Sequence, residues 1–519
     1  MKHLRALFIE DDADLAELLK PHYSQLFEAC EYQVIFHDAR GEKDARRLIE
    51  SVDPHILICD LGLDRDYDGL HLIRTIRTHY PDLFVIGTSR GDYSPRNVDA
   101  RQPSFHMFID KQPLLEEDKK YLPIAIERFL ELFRLETSIE IANFDTLRTD
   151  EFQKPSSRRE LNALMRQIMF SGHQPDDLMH PNQIYLEPIG GGFSGSQVFK
   201  MTSRNSTSSL VCVPSVLKIS ERKYAEQELE NYHRFVKWGL PYTWRVDLLG
   251  SGFTKSYGAI AYSFILSDLK KFDSLTELLR RQEDPRVLQA VQTLFSPEMR
   301  RWYGDPLIRP EANIVERFAG RYFRGAEAKG LCEKRFLDVA QSAFGAKVSA
   351  NKIEIFGRTY EKPTTALFGY PMGRYQSCIC HGDLNSNNVM VAENEQTIFI
   401  DFQETGRGHV FEDFVTMEAS VRLYHGEDGL RGEALLEAER HLGNGADVAG
   451  LGRMHRLAAE IRRLAEQNFP SEPFATYHYA SAAFNFRLLR IQNLSDRQAE
   501  RAVAAVLAGL GNLQRPRRS

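Results

Sequence analysis

Short apolar runs alternate with segments of helical periodicity over the first part of the chain, between Arg5 and Ile109. The run His55–Cys59 (HILIC) is almost wholly apolar, as expected for a parallel strand covered on both faces. Regular alternation of strands and helices predicts a doubly wound α/β domain with a five-stranded parallel sheet. The expected strands are Arg5–Ile9, Tyr32–Phe36, His55–Cys59, Leu83–Gly87 and Phe105–Ile109, and the expected helices are Asp14–Lys20, Gly41–Val52, Leu70–His79 and Leu122–Glu136.

Polar side chains follow four of these strands at their carboxyl ends. Glu10 and Asp11 follow the first strand, and Asp60 follows the third. Thr88 follows the fourth strand and Lys111 the fifth. Because a parallel sheet brings such ends together, these side chains are expected to share one pocket. Clustered carboxylates repel each other unless a divalent cation neutralises them, and Mg²⁺ prefers oxygen ligands.

This pocket predicts phosphoryl chemistry. Asp60 can attack a phosphohistidine as a nucleophile and form an acyl phosphate. Lys111 would pair with the phosphoryl oxygens, and the hydroxyl of Thr88 would donate to one of them. The expected ligands of Mg²⁺ are Glu10, Asp11, Asp60 and a backbone carbonyl near Gly62.

Residues 1–136 resemble the response-regulator receiver family. The resemblance implies that a sensor histidine kinase phosphorylates Asp60, and that Thr88 and Phe108 form a moving switch pair. Gln112 stands between Lys111 and the proline that usually follows this lysine directly. A receiver-like fold retained as a docking surface is the alternative. The motifs that carry the resemblance are IEDD at Ile9–Asp12, LICDLGL at Leu57–Leu63, GTS at Gly87–Ser89 and IDKQP at Ile109–Pro113.

The pattern changes after this first domain. The polar and mixed segment 137–183 is predicted as a linker that contains a helix around Leu161–Phe170. A strand-rich portion begins near Ile184, and helical patterns dominate from Ser274 onward. Residues 184–519 are therefore predicted to form a second domain that contains both strands and helices.

A glycine-rich turn joins the first two strands of this second domain. Glycines allow backbone amides to approach phosphates closely, so the turn is a candidate nucleotide-binding element. A hairpin that is merely rich in glycine explains it equally well, and no Gly-Lys-Ser/Thr sequence of a P-loop follows. The candidate residues are Gly190, Gly191, Gly192, Ser194 and Gly195.

Lys218 lies inside an apolar strand, where an ammonium group needs a partner because burying it unpaired is costly. Three glutamates follow on a predicted helix. Glu228 fits best as the partner because Tyr232 lies at helical spacing on the inward side. Glu226 and Glu230 remain alternatives.

The strongest motif in the chain is HGDLNSNN at His381–Asn388, followed by IDFQ at Ile400–Gln403. It places an amide, Asn388, five residues after Asp383, and a second carboxylate, Asp401, after a short hairpin. Metal-assisted phosphoryl transfer requires this set. Asp383 can orient or deprotonate an acceptor hydroxyl, while Asn388 and Asp401 can hold Mg²⁺ that bridges the phosphates of ATP.

These motifs resemble the kinase-like superfamily, in its aminoglycoside phosphotransferase and choline kinase branch. The resemblance implies an α+β fold of two lobes, at residues 184–272 and 273–519, that binds ATP. Lys218 and Glu228 would act with Asp383 in catalysis. His381 would support the loop structurally, and Asp413 would hold the catalytic loop in place.

The short separation between Asp401 and Asp413 leaves no space for a long segment that docks a peptide. A small-molecule hydroxyl acceptor is therefore favoured over a protein. Glu404 and Arg407 are placed where an acceptor would bind, or they form a surface ion pair. Two alternatives stay open: a nucleotide-binding pseudokinase scaffold, and a protein kinase that acts on a specific partner.

Composition excludes several other classes. The 66 basic and 72 acidic residues give a net charge of −6, which provides no reason to expect nucleic acid as a partner. The first residues lack the apolar stretch expected of a signal peptide, and no apolar run reaches the length of a membrane helix, so we expect a cytoplasmic protein. Cys378 and Cys380 are expected to be buried strand thiols rather than metal ligands. A homodimer remains open.

Overall fold

A computed structural model describes most of the chain, and the chain divides into two compact units. The first unit comprises Met1–Gln227 and Asp247–Ile265, and the second comprises Glu228–Val246 and Leu266–Ser519. The described residues are 2–30, 32–52, 54–63, 68–80, 83–89, 105, 107–111, 139–144, 158–170, 181–191, 196–205, 214–254, 256–263, 272–308, 313–371, 373–393, 396–425, 429–443 and 451–513.

The first unit begins with a five-stranded parallel sheet of order β2-β1-β3-β4-β5, which confirms the predicted α/β fold. Every residue of β3 and β4 is buried, because apolar clusters cover both faces of the sheet. The strands are β1 (Lys2–Ile9), β2 (Tyr32–Ala39), β3 (Ile56–Asp60), β4 (Phe84–Ser89) and β5 (Met107–Asp110), and the helices are α1 (Ala13–Glu28), α2 (Glu42–Val52) and α3 (Asp68–His79).

Helix α1 shows how local sequence sets an element and how packing extends it. The side chain of Asp12 caps the helix by accepting from the N–H groups of Asp14 (3.1 Å) and Leu15 (3.0 Å). The helix continues past Pro21, beyond the predicted end at Lys20. Its second half buries residues such as Tyr23 against the sheet, and this burial outweighs the hydrogen bond that proline removes. The predicted helix Leu122–Glu136 lies outside the described residues.

A second sheet in this unit has the order β10-β11-β9-β8-β7-β6, and its neighbours are antiparallel except for β6 and β7. Helix α4 (Arg158–Phe170) packs on it. Gln167 exchanges two hydrogen bonds with the backbone of Phe253, at 2.9 and 3.0 Å. The strands are β6 (Glu140–Ile141), β7 (Gln183–Gly191), β8 (Gln197–Arg204), β9 (Ser215–Glu221), β10 (Leu248–Phe253) and β11 (Tyr257–Ser263).

The segment interpreted as a linker therefore has a structural role that its sequence did not indicate. Strand β6 pairs with β7, and residues of β6 and α4 belong to the apolar core of the second sheet. A side chain at Gly252 would come within 2.7 Å of the carbonyl oxygen of Leu164, so this glycine permits the close approach of α4. The predicted domain boundaries themselves stay a prediction.

The second unit is mainly helical, and helix α5 (Arg222–Asn231) begins in the first unit and ends in the second. The remaining helices are α6 (Lys237–Gly239), α7 (Leu275–Arg281), α8 (Asp284–Leu294), α9 (Arg300–Tyr303), α10 (Ala326–Phe344), α11 (Pro363–Phe368), α12 (Glu412–Tyr424), α13 (Gly432–Gly443), α14 (Arg453–Asn468), α15 (Phe474–Leu488) and α16 (Asp496–Leu513). No helix within the described ranges is apolar and long enough to cross a membrane.

Three small sheets complete the second unit, with the orders β12-β18-β19, β13-β17-β20 and β14-β15-β16. Their strands are β12 (Phe272–Ser274), β13 (Leu307–Ile308), β14 (Lys347–Val348), β15 (Lys352–Ile355), β16 (Arg358–Glu361), β17 (Gln376–Cys380), β18 (Val389–Ala392), β19 (Thr397–Phe399) and β20 (Gly406–His409).

Helix α12 lies at the centre of this unit, since its residues from Glu412 to Leu423 are all buried. Its charged side chains are paired inside the core. Arg422 donates to both carboxylate oxygens of Glu439 at 2.8 Å, and Arg462 donates to both oxygens of Glu418 at 2.8 Å. Such paired charges fix the arrangement of helices α12, α13 and α14. The aromatic residues Trp302, Tyr303, Phe318, Tyr322 and Phe323 are buried core residues.

Candidate functional site

The parallel sheet brings three predicted carboxylates together. Carboxylate oxygens of Glu10, Asp11 and Asp60 lie within 4.8 Å of one another. The strand register explains this, because Ile9 of β1 pairs with Cys59 of β3, so Glu10 and Asp60 follow at the same edge of the sheet. A side chain at Gly62 would contact a carboxylate oxygen of Asp60 at 3.9 Å, so Gly62 lies close to the cluster. An all-oxygen set of this kind fits Mg²⁺.

Lys111 is almost fully buried among these carboxylates, with 2% of its side chain exposed. Its Nζ lies 2.7 Å from Glu10 Oε2 and 3.0 Å from Asp60 Oδ1. Burial raises the pKa of Glu10, and the charge of Lys111 opposes that rise. The lysine therefore neutralises part of the negative charge of Glu10 and Asp60.

Thr88 has a partner that the sequence did not reveal. The hydroxyl of Tyr23, on α1, donates to Thr88 Oγ1 at 3.2 Å inside the core. Burial raises the pKa of Tyr23, so the phenol keeps its proton and remains the donor. The hydroxyl proton of Thr88 is then available to another acceptor. Phe108, the other predicted switch residue, is partly exposed, and its ring centroid lies 6.0 Å from that of Phe105.

The predicted nucleotide-binding residues are described only in part. Gly190 and Gly191 end β7 and pair with β8, whereas Gly192, Ser194 and Gly195 lie outside the described residues. Lys218 is 7% exposed on β9 in the first unit. Glu228 is fully buried in the second unit, while the alternatives Glu226 and Glu230 are exposed. A pairing of Lys218 with Glu228 stays a prediction.

The loop after β17 positions Asp383. Asp383 Oδ2 accepts from Asn385 Nδ2 at 3.1 Å and from Asn388 Nδ2 at 3.3 Å. Asn388 Nδ2 also donates to the backbone oxygen of Asp383 at 2.8 Å. The amino group of Asn388 thus faces Asp383, which leaves its carbonyl oxygen available as a metal ligand. Burial raises the pKa of Asp383 to about 6.

Asp401 adopts a positive φ of 65°, a conformation that is rare for a residue with a side chain and common at functional sites. The N–H of the preceding Ile400 donates to the carbonyl oxygen of Asn388 at 3.1 Å. This bond places Asp401 next to Asn388, as shared ligation of one ion by the two residues requires. Their oxygen atoms fit Mg²⁺ by type.

Asp413, at the start of α12, holds the backbone before Asp383. Its Oδ2 accepts from the N–H of His381 at 2.8 Å, and its Oδ1 accepts from the N–H of Gly382 at 3.0 Å. His381 Nε2 donates to the carbonyl oxygen of Ile400 at 3.0 Å, which links the two halves of the site. Burial raises the pKa of Asp413 to about 7.

Gly382 has a positive φ of +81°, and a side chain there would overlap the carbonyl oxygen of Glu404. The interpretation of Glu404 and Arg407 as an ion pair is wrong. Glu404 pairs with Arg321, whereas Arg407 is exposed. Arg321 lies far from the motifs in sequence, so no local pattern identified it.

Cys378 and Cys380 are buried on β17 with their sulfur atoms 3.5 Å apart, in agreement with the prediction of strand thiols. Among the described histidine, cysteine and acidic residues, Glu10, Asp11 and Asp60 form a group of three whose side chains are close enough together to hold a metal ion.

Comparisons with known proteins give two kinds of similarity. A family model described as Ternary complex associated domain 9 matches residues 320–491. A search of curated proteins finds no match. NtrX from Brucella abortus, solved in complex with ADP, is 23% identical over 26% of this chain, with a TM-score of 0.22. This chain spans 28% of that NtrX chain. The receiver domain of a DNA-binding response regulator from Colwellia psychrerythraea is 22% identical over 25% of this chain and 98% of that chain, with a TM-score of 0.20.

Two aminoglycoside phosphotransferases are also similar. Aminoglycoside-3'-phosphotransferase of type VIII is 14% identical over 59% of this chain and 93% of that chain, with a TM-score of 0.34. A thermostable mutant of aminoglycoside phosphotransferase APH(4)-Ia, in a ternary complex with ADP and hygromycin B, is 14% identical. That match covers 62% of this chain and 94% of the other, with a TM-score of 0.31. The chain is thus similar both to receiver domains and to aminoglycoside phosphotransferases.

Proposed function

We propose that this chain is a two-component-type signalling protein in which phosphorylation of Asp60 regulates an ATP-dependent phosphotransferase. The phosphodonor is a sensor histidine kinase, and the acceptor of the second reaction is a small molecule with a hydroxyl group. The observation that carries the second activity is the arrangement of Asp383 and Asn388, with Asp401 beside them, on one loop held by Asp413.

At the first site, a carboxylate oxygen of Asp60 attacks the phosphorus of a phosphohistidine. The new phosphorus–oxygen bond forms as the phosphorus–nitrogen bond breaks, and the released imidazole takes up a proton. Lys111 lies 3.0 Å from Asp60, so it can stabilise the phosphoryl oxygens, and Thr88 can donate its hydroxyl proton to one of them. Mg²⁺ held by Glu10, Asp11 and Asp60 would neutralise the charge that accumulates on the phosphoryl group.

At the second site, the acceptor hydroxyl oxygen attacks the γ-phosphorus of ATP and ADP leaves. Asp383 orients this hydroxyl and takes its proton. Asn385 and Asn388 donate to the same carboxylate oxygen of Asp383, which fixes its direction and leaves the other oxygen to face the acceptor. Mg²⁺ held by Asn388 and Asp401 would supply charge neutralisation at the ATP phosphates.

The test is ATP hydrolysis and transfer with Mg²⁺, with and without acetyl phosphate as a phosphodonor for Asp60. The proteins are wild type, Asp60→Ala and Asp383→Ala, with Asp338→Ala as a control at an exposed helical position. We expect turnover that requires Asp383 and that responds to acetyl phosphate only when Asp60 is present. Turnover that is unchanged in Asp383→Ala would refute the proposed phosphotransferase.

A scaffold that binds nucleotide without turning it over is the second candidate. The match to Ternary complex associated domain 9 over residues 320–491 favours it, since the name of that family refers to an assembly. ATP binding that persists equally in wild type and Asp383→Ala, with no turnover in either, would select this function. Label transferred from ATP to a protein band in a cell lysate would instead select a protein kinase.

A further inference from the structure

An arginine cluster lies beside the loop that carries Asp383. We define it as Arg317, Arg321 and Arg487, all in the second unit. Arg317 Nε donates to Glu412 Oε2 at 2.8 Å, and Arg321 Nη1 donates to Glu412 Oε1 at 2.8 Å. Arg321 also pairs with Glu404. Two of the three guanidinium groups therefore have carboxylate partners.

Arg487 differs from the other two members of the cluster. Its guanidinium carbon lies 4.6 Å from the ring centroid of Tyr322 and 5.6 Å from that of Phe484. Within the described part of the chain, no carboxylate lies within ion-pair distance of it. An aromatic face holds a cation in a fixed orientation but does not neutralise it. Arg487 is partly buried on α15, so its cation is held in place by the packing around it.

Contacts through Glu404 place this cluster next to the proposed acceptor position. The carbonyl oxygen of Glu404 lies against the Cα of Gly382, the residue before Asp383, while the side chain of Glu404 pairs with Arg321. Tyr322, which packs against Arg487, follows Arg321 directly in the chain.

The charges of the cluster do not balance. Three guanidinium groups face two carboxylates, Glu404 and Glu412, which leaves one positive charge at Arg487. A polycationic acceptor would be repelled by this charge, whereas a carboxylate or phosphate group would form charge-assisted hydrogen bonds with the guanidinium.

We propose that the acceptor carries an oxyanion, either a carboxylate or a phosphate, that binds Arg487 while its hydroxyl group lies at Asp383. This inference rests on the proposed phosphotransferase function and names the class of its acceptor. Arg487 is then a specificity-determining residue, since it selects hydroxyl compounds that are also anionic.

Equilibrium binding to the full chain tests the proposal without any need for turnover. The probes are D-glycerate and glycerol 3-phosphate, which carry the two kinds of oxyanion, and glycerol as the uncharged match, each titrated calorimetrically. We expect one or both oxyanions to bind and glycerol not to bind detectably. Arg487→Gln should weaken oxyanion binding about 10- to 100-fold, as loss of charge-assisted hydrogen bonds does. Arg487→Lys, which keeps the charge, should lose less.

Arg301→Gln, at an exposed position on α9, is the matched control and should bind the probes as wild type does. Equal binding of glycerol and the oxyanions would overturn the proposal. So would failure of both oxyanions to bind, or equal oxyanion binding by wild type and Arg487→Gln. Because binding is measured without ATP, these outcomes are distinct from loss of Asp383-dependent turnover, which would refute the proposed function itself.

Discussion

Substitution of Gly382 by alanine should destabilise the second unit much more than the same substitution at Gly345. Both glycines have positive φ, +81° and +64° respectively, where a residue with a Cβ is disfavoured by about 1–2 kcal/mol. A Cβ at Gly345 meets nothing within 4 Å, whereas a Cβ at Gly382 overlaps the carbonyl oxygen of Glu404. Relief of that overlap requires a backbone shift that costs about 1–3 kcal/mol more.

The expected losses in the free energy of unfolding are therefore about 2–5 kcal/mol for Gly382→Ala and about 1–2 kcal/mol for Gly345→Ala. Urea denaturation followed by tryptophan fluorescence measures them, because Trp238, Trp244 and Trp302 all lie in the second unit. Gly382→Ala should also lose Asp383-dependent turnover, while Gly345→Ala retains it. Equal destabilisation by the two substitutions would refute the argument from the Glu404 carbonyl.

Three further predictions concern buried polar groups. Burial raises the pKa of Asp413 from 3.8 to about 7, so the folded state binds more protons than the unfolded state between these values. The contribution of Asp413 to the free energy of unfolding should therefore fall as pH rises from about 4 to about 7. Urea titrations at several pH values should show that Asp413→Asn lacks this part of the pH dependence. An unchanged pH dependence in the variant would contradict the raised pKa of Asp413. Tyr23→Phe removes the donor to Thr88 and should lower the free energy of unfolding by about 1 kcal/mol. The loss should appear as faster hydrogen exchange of the β4 amides. Unchanged exchange would show that this hydrogen bond contributes nothing. Lys111→Met leaves Glu10 and Asp60 without their cation, so added Mg²⁺ should raise the melting temperature of this variant more than that of wild type. An equal rise in both proteins would mean that the lysine does not neutralise these carboxylates.

The sequence alone determined the parallel sheet and the elements of the first site. The alternation of apolar runs with helical periodicity is local, and so is the position of each polar residue at the end of a strand. Once the strands are parallel, their carboxyl ends must meet, and the register pairs Asp60 with Thr88. The motif His381–Asn388 was equally informative, because the turn that directs Asn388 toward Asp383 is formed within a few residues.

Only the tertiary structure decided which distant side chains surround these sites. Tyr23 reaches Thr88 across 65 positions of sequence, and Arg321 reaches Glu404 across 83 positions. Neither arginine nor tyrosine has a local pattern that identifies such a partner, since each is common on exposed helix faces. Arg487 likewise becomes distinctive only when α15 packs its guanidinium group against Tyr322. Local motifs thus specify the proposed reacting groups, whereas packing between distant helices determines the charge around them.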